Sequence, residues 1–233
     1  MKSSLRNMVI ALFAITAVSA LLVAVVNDVT KGAIELSQQQ AKDAAKYKVL
    51  GVTSEEATVL SDTTRRIGDF DVTVSTVVSR ADNSVVGYAV EAPSITKSGY
   101  ADRITLMVGF TEQEGGAVVN SVEVLSQKET PGLGANMTKE GNSLERSVVG
   151  KSASALKFSV SKEGGSFDAL TGSTISSRAY ANAVETAYAG YLWAKGSLDT
   201  SDDALEAAPT GASQPYHGNA EEPEAQKGEQ DNE

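Results

Sequence analysis

The sequence predicts an α+β fold, with a single N-terminal transmembrane helix followed by a domain in which an antiparallel sheet is packed by helices. Three observations predict it. An uncharged apolar run opens the chain, segments in the middle alternate apolar and polar residues at the strand period, and the spacing turns helical after Thr174. At 233 residues the chain suits one domain with a true core and is tight for two.

Lys2 and Arg6 precede a stretch from Asn7 to Asn27 without a charge. Met8 to Val26 is 19 residues, eleven of them Val, Ile, Leu or Phe. A helix of that length spans roughly 28 Å, close to the hydrocarbon thickness of a bilayer. Insertion of those eleven residues is favoured by on the order of 3–7 kcal/mol. The positive end stays inside, which sends the rest of the chain across the membrane. Ala17-Val18-Ser19-Ala20 offers a signal-peptidase site, but the apolar run continues six residues past Ala20, unlike a short signal core. Both readings export the domain, and the run length favours an uncleaved anchor. Residues 1–27 are therefore read as the cytoplasmic N-terminus and anchor.

Residues 28–48 are polar and alanine-rich, free of Pro and of Gly after Gly32, and predict a helical linker continuing the anchor. Strand signals follow within a domain set at residues 49–195. Asp71 to Arg80 is rich in Val and Thr, and Ser84 to Val90 returns after the turn-like Ala81-Asp82-Asn83. Ile104, Leu106, Val108 and Phe110 alternate, and Ala117 to Ser126 follows the Gly115-Gly116 turn. The expectation is two consecutive hairpins. Beyond Thr174, apolar residues at Tyr180, Val184, Ala187 or Tyr188, and Tyr191 or Leu192 predict a helix covering one sheet face. Residues 196–233 form a Pro-, Gly-, Ser- and acid-rich tail, expected to be disordered.

Composition narrows the chemistry. Without cysteine there are no disulfides, cysteine-ligated clusters or thiol catalysis. One histidine, His217, leaves almost nothing for a zinc site or a Ser-His-Asp triad. Redox chemistry would have to come from an organic cofactor. The net charge of −10 argues against nucleic acid. Nearly all of that charge lies in the tail, where ten acidic residues face Lys227 alone.

Two segments place glycines and hydroxyls where a packed core does not need them. Glu129-Thr130-Pro131-Gly132-Leu133-Gly134 follows a strand and allows a tight turn with open amides near a flat ring or a phosphate. It is not a dinucleotide fingerprint, since Met137 takes the third glycine's place and no βαβ unit surrounds it. Asp168-Ala169-Leu170-Thr171-Gly172-Ser173-Thr174-Ile175-Ser176-Ser177 opens the last helix with five hydroxyls. A helix N-terminus favours an anion such as phosphate. Plain N-capping would need one hydroxyl.

The second segment resembles the flavinylation motif of the FMN-binding domain in the G subunit of Rnf electron-transport complexes and the C subunit of the sodium-pumping NADH:quinone reductase. Asp168 and Thr171-Gly172-Ser173-Thr174-Ile175-Ser176-Ser177 carry it, with Ser173 where alanine is usual. The resemblance implies FMN esterified through its phosphate to Thr174 by a separate flavin transferase that recognises Asp168, Thr171 and Gly172. It implies that the Glu129–Gly134 loop lies against the flavin, that Lys151 of Gly150-Lys151 contacts the phosphate, and that Tyr100 of Gly99-Tyr100 is a neighbour of the flavin. The stretch from Leu144 to Val149 lacks the aromatics that family members often carry.

The implied role is an electron relay in a translocase that passes electrons between ferredoxin and NAD and pumps ions. The relay itself binds neither substrate. Its partners would be the A, B, C, D and E subunits, the transferase and membrane lipid. The implied place is the cell inner membrane, with the domain on the periplasmic side. The quinone-reductase C subunit is the nearest alternative, although its members tend to be longer between anchor and motif. A stand-alone extracytoplasmic flavoprotein and a non-redox anchored module are the others.

Overall fold

A computed structural model describes residues 2–95 and 103–196. Helix α1 runs Lys2–Lys48, followed by five strands, β1 (Ala57–Ile67), β2 (Phe70–Ser79), β3 (Val85–Ile95), β4 (Arg103–Gln113) and β5 (Gly116–Ser126). A 3-10 turn (Gly134–Thr138), the short helix α2 (Ser143–Val148), two further 3-10 turns and helix α3 (Thr174–Ala194) complete the order. Neighbouring strands pair antiparallel in the order β1-β2-β3-β4-β5, an uninterrupted meander.

The anchor and the linker are one helix, and among the described residues it is the helix long and apolar enough to cross a membrane. The protein is membrane-anchored. The last turn of α1 is buried against one face of the sheet, where Ala45, Val49 and Leu50 pack with Ala57, Val77, Ala89 and Met107. Ion pairs ring this foot: Lys42 to Glu91 at 2.6 Å, Lys46 to Asp62 at 2.8 Å and Lys48 to Glu123 at 2.6 Å. Asn120 Nδ2 donates to the Val49 carbonyl at 2.8 Å. On the other face α3 buries Ala179, Tyr180, Ala183, Val184, Ala187 and Tyr191 in the main core, as its spacing predicts.

The foot of α1 crosses the strands: Lys42 meets Glu91 on β3 and Lys48 meets Glu123 on β5, two residues that both pair with Met107 of β4.

One element departs from expectation. The sequence predicts two hairpins, and β1 adds a fifth strand ahead of them. Leu60 to Thr64 is exposed and a bulge interrupts the pairing between Val59 and Ser61, so an edge strand buried at its ends carries no alternation to read. The predicted tail from residue 197 onward lies outside the described residues.

Glu185, half-buried on α3, has no hydrogen bond or ion pair among the described residues, and burial pushes its carboxyl up to about 7. The folded chain holds a proton there that the unfolded chain releases above about pH 4. Stability from this group is therefore full below about pH 4 and is lost as pH rises toward 7. Glu185→Gln should stabilise the domain at pH 8 by about 1–2 kcal/mol, after discounting for the water that still reaches the group, and by almost nothing at pH 4. Urea denaturation at the two pH values checks it.

Candidate functional site

The two segments singled out in the sequence lie about 40 residues apart, and the fold brings them together. Residues 130–133 form an exposed turn, in which the Thr130 carbonyl accepts from the amides of Leu133 at 3.1 Å and Ala135 at 3.3 Å. Asn136 Nδ2 closes the turn on the Gly132 carbonyl at 2.8 Å. Pro131 suits the second position of such a turn, and Gly132 takes the left-handed conformation at φ 80° that its place requires.

Against this turn stands the start of α3. Gly172 is left-handed at φ 73°, and a Cβ there would touch Leu133 Cδ2 at 3.3 Å. Glu129 Oε2 accepts from Ser176 Oγ at 2.7 Å, joining loop to helix. Gly134 is buried in the crossing, where a Cβ would meet both of those oxygens at 2.6 Å.

Thr174 is the first helical residue and is half-buried, open to solvent on one side. The amides of the first turn have no acceptor within the helix, and the side chain of the N-cap residue, Ser173, does not cap them. An anion held at Thr174 would meet these open N–H groups and the positive end of the helix. Leu133, beside Gly172, and Ile175, next in the chain after Thr174, are each 45% exposed and leave apolar surface suited to a flat ring. The residues thus fit a group with one phosphate and one aromatic system.

The other predicted residues have different places. Ser177 is fully buried, donating to the Ser173 carbonyl at 2.8 Å and accepting from the Leu170 amide at 3.0 Å. Its hydroxyl is held within the turn by these two bonds. Ser177→Ala would strand the Leu170 N–H and should destabilise the domain by about 1–3 kcal/mol, read as a lower urea midpoint. Asp168 is exposed and accepts from Ser161 Oγ at 2.6 Å, and Thr171 is exposed beside it. Both are accessible to a modifying enzyme.

Lys151 is exposed, with its carbonyl accepting from the Val119 amide at 3.0 Å. Val119 lies about 23 Å along β5 from Ser126, and no described contact joins Lys151 to the loop or to α3. Tyr100 lies outside the described residues. The strands on either side of it end in the Ile95–Arg103 pair, at the same end of the sheet as Ser126.

Sequence reasoning missed the Glu129–Ser176 bond and the Asn142 cap of α2, whose side chain accepts from Leu144 and Glu145. The Asn-x-x-Glu spacing at residues 142–145 was the available signal for the cap.

Comparison with known proteins agrees with this geometry. Residues 99–189 match the FMN-binding domain family. The G subunit of the ion-translocating oxidoreductase complex of Shewanella oneidensis is 32% identical over 190 residues, covering 78% of this chain and 86% of that protein. The G subunit of the Na(+)-translocating ferredoxin:NAD(+) oxidoreductase complex of Acetobacterium woodii is 29% identical over 180 residues, 74% of this chain and 84% of its own. The corresponding G subunit of the Methanosarcina acetivorans ion-translocating oxidoreductase complex is 27% identical, with 78% of this chain and 92% of its own length covered. The chain belongs to the family of ion-translocating oxidoreductase complex G subunits, with an FMN-binding domain at residues 99–189.

Proposed function

We propose that Thr174 carries FMN as a phosphoester and that the protein is the electron-relay subunit of an Rnf-type ion-translocating complex. The observation that carries this reading is the open, uncapped start of α3 at Thr174, met by the Glu129–Gly134 loop. Thr174 Oγ would take the place of a phosphate oxygen, and the first-turn amides would bind the remaining phosphate oxygens. Leu133 and Ile175 would hold one face of the ring and exclude water from it. Attachment through the phosphate needs neither Cys nor a nearby His, in keeping with a chain that has no cysteine and one histidine. Bound there, FMN supplies the one- and two-electron chemistry that the side chains lack. The protein's part is to fix the ring and leave it accessible to a donor and an acceptor.

The anchor helix runs directly into the domain and docks on its sheet. That favours a relay working close to the membrane and to membrane-embedded partner subunits. Lys2 and Arg6 favour an N-terminus inside and a domain on the periplasmic side. Maturation would need a flavin transferase acting on Asp168, Thr171 and Gly172. Solubilised membranes test the reading: the tagged full chain should copurify with the other complex subunits and keep its flavin fluorescence in a denaturing gel. A chain that purifies alone and colourless from membranes containing the complex would contradict it.

A further inference from the structure

We propose that Glu129 is a positioning residue for the flavin: through Ser176 it holds the 130–134 turn against the start of α3, and its carboxylate charge holds the flavin's reduction potential down. The inference rests on the flavin reading above.

Glu129 sits where the chain leaves β5 and enters the turn, its own amide tied to Gln127 Oε1 at 2.6 Å. Its side chain crosses to the first turn of α3, and Oε2 accepts from Ser176 Oγ at 2.7 Å, two residues from Thr174. The crossing passes over Gly134, where a Cβ would meet Oε2 and Ser176 Oγ at 2.6 Å and Glu129 Cβ at 2.9 Å. Any other residue at 134 would push the hook apart. With the hook closed, Leu133 is held beside Gly172, next to Thr174. The position of Leu133 thus depends on the bond between Glu129 and Ser176.

A hook alone needs one acceptor. A carboxylate brings a second oxygen and a charge, and here the second oxygen is unfavourably placed: Oε1 is buried and has no hydrogen-bond partner among the described residues. A buried acceptor without a donor is destabilising, and glutamine would make the same bond to Ser176 without the charge. The retained charge has a consequence at this place. A fixed negative charge in a partly dry site acts over several ångströms and disfavours further negative charge nearby. Electrons arriving on a flavin at Thr174 are therefore less favoured, and its potential is lower than it would be beside a neutral residue.

The two roles separate by mutation. Glu129→Gln keeps an acceptor for Ser176 and removes the charge, and Ser176→Ala keeps the charge and opens the hook. The full chain and both variants are co-produced with a flavin transferase, and covalent FMN is quantified by intact mass. Flavin potentials are then measured by spectroelectrochemistry, and ring immobilisation by visible circular dichroism. Potential and dichroism are compared per mole of bound FMN, so that differences in loading do not enter the comparison. Glu129→Gln should titrate at a higher potential with a wild-type dichroism spectrum, and Ser176→Ala should lose much of the dichroism. An unchanged potential in Glu129→Gln overturns the tuning role, and an unchanged spectrum in Ser176→Ala overturns the positioning role. A wild-type chain without covalent FMN removes the flavin reading itself, and this inference with it.

Discussion

Thr174→Ala should leave the domain folded and carry no covalent flavin at all. The side chain of Thr174 is half-buried at the first helical position and makes no described hydrogen bond. Alanine is the best helix former, so the substitution should change stability by no more than about 0.5 kcal/mol. The hydroxyl, by contrast, is the only atom through which the phosphoester can form at that position. Ser173, Ser176 and Ser177 do not offer a ready substitute. Ser173 and Ser177 are buried in the turn, and the Ser176 hydroxyl is bonded to Glu129. Far-UV circular dichroism and intact mass measured on one preparation separate the two effects. Covalent FMN persisting in Thr174→Ala would show that the acceptor is another residue.

A second large effect is expected far from the site. Gly109→Ala should destabilise the domain by about 3–5 kcal/mol. A Cβ at 109 would lie 2.7 Å from the Val49 carbonyl carbon and 3.0 Å from Val49 Cβ. Neither side can give way easily. β4 is an inner strand paired on both edges, and Val49 is fixed by its bond to the Ala45 carbonyl at 2.9 Å and by Asn120. The foot of α1 must lift, exposing Met107, Val77 and Ala89 and straining the lysine pairs. The urea midpoint should fall, and proteolysis should become fast between residues 42 and 56. A variant as stable and as resistant as wild type would mean that α1 is not docked in this way.

The same two regions show what the sequence made legible. The apolar run of α1, the strands β2 to β5 and the helical spacing of α3 follow from periodicities that are visible because one face of each element is buried or lipid-facing. β1 was hidden for the opposite reason. Its middle is exposed, so Thr63, Thr64 and their neighbours satisfy no alternating pattern. At the site, Thr171 to Ser177 was legible as a hydroxyl-rich helix start. That Glu129 and Ser176 meet was not, because a contact across 47 residues depends on how β5 ends and on where α3 crosses the sheet. Ser177 and Lys151 show the limit from the other side. A motif names its members without saying which face the ligand and which hold the turn. The fold turns the Ser177 hydroxyl inward and ties Lys151 to β5 at Val119.

The central claim is that Thr174 bears FMN, and the intact mass of the wild-type protein co-produced with a flavin transferase tests it most directly. The account predicts a gain of one FMN less one water, mapped by fragmentation to the peptide that contains Thr174. An unmodified mass, with the transferase active on a control substrate, would contradict it, as would FMN mapped to any other residue.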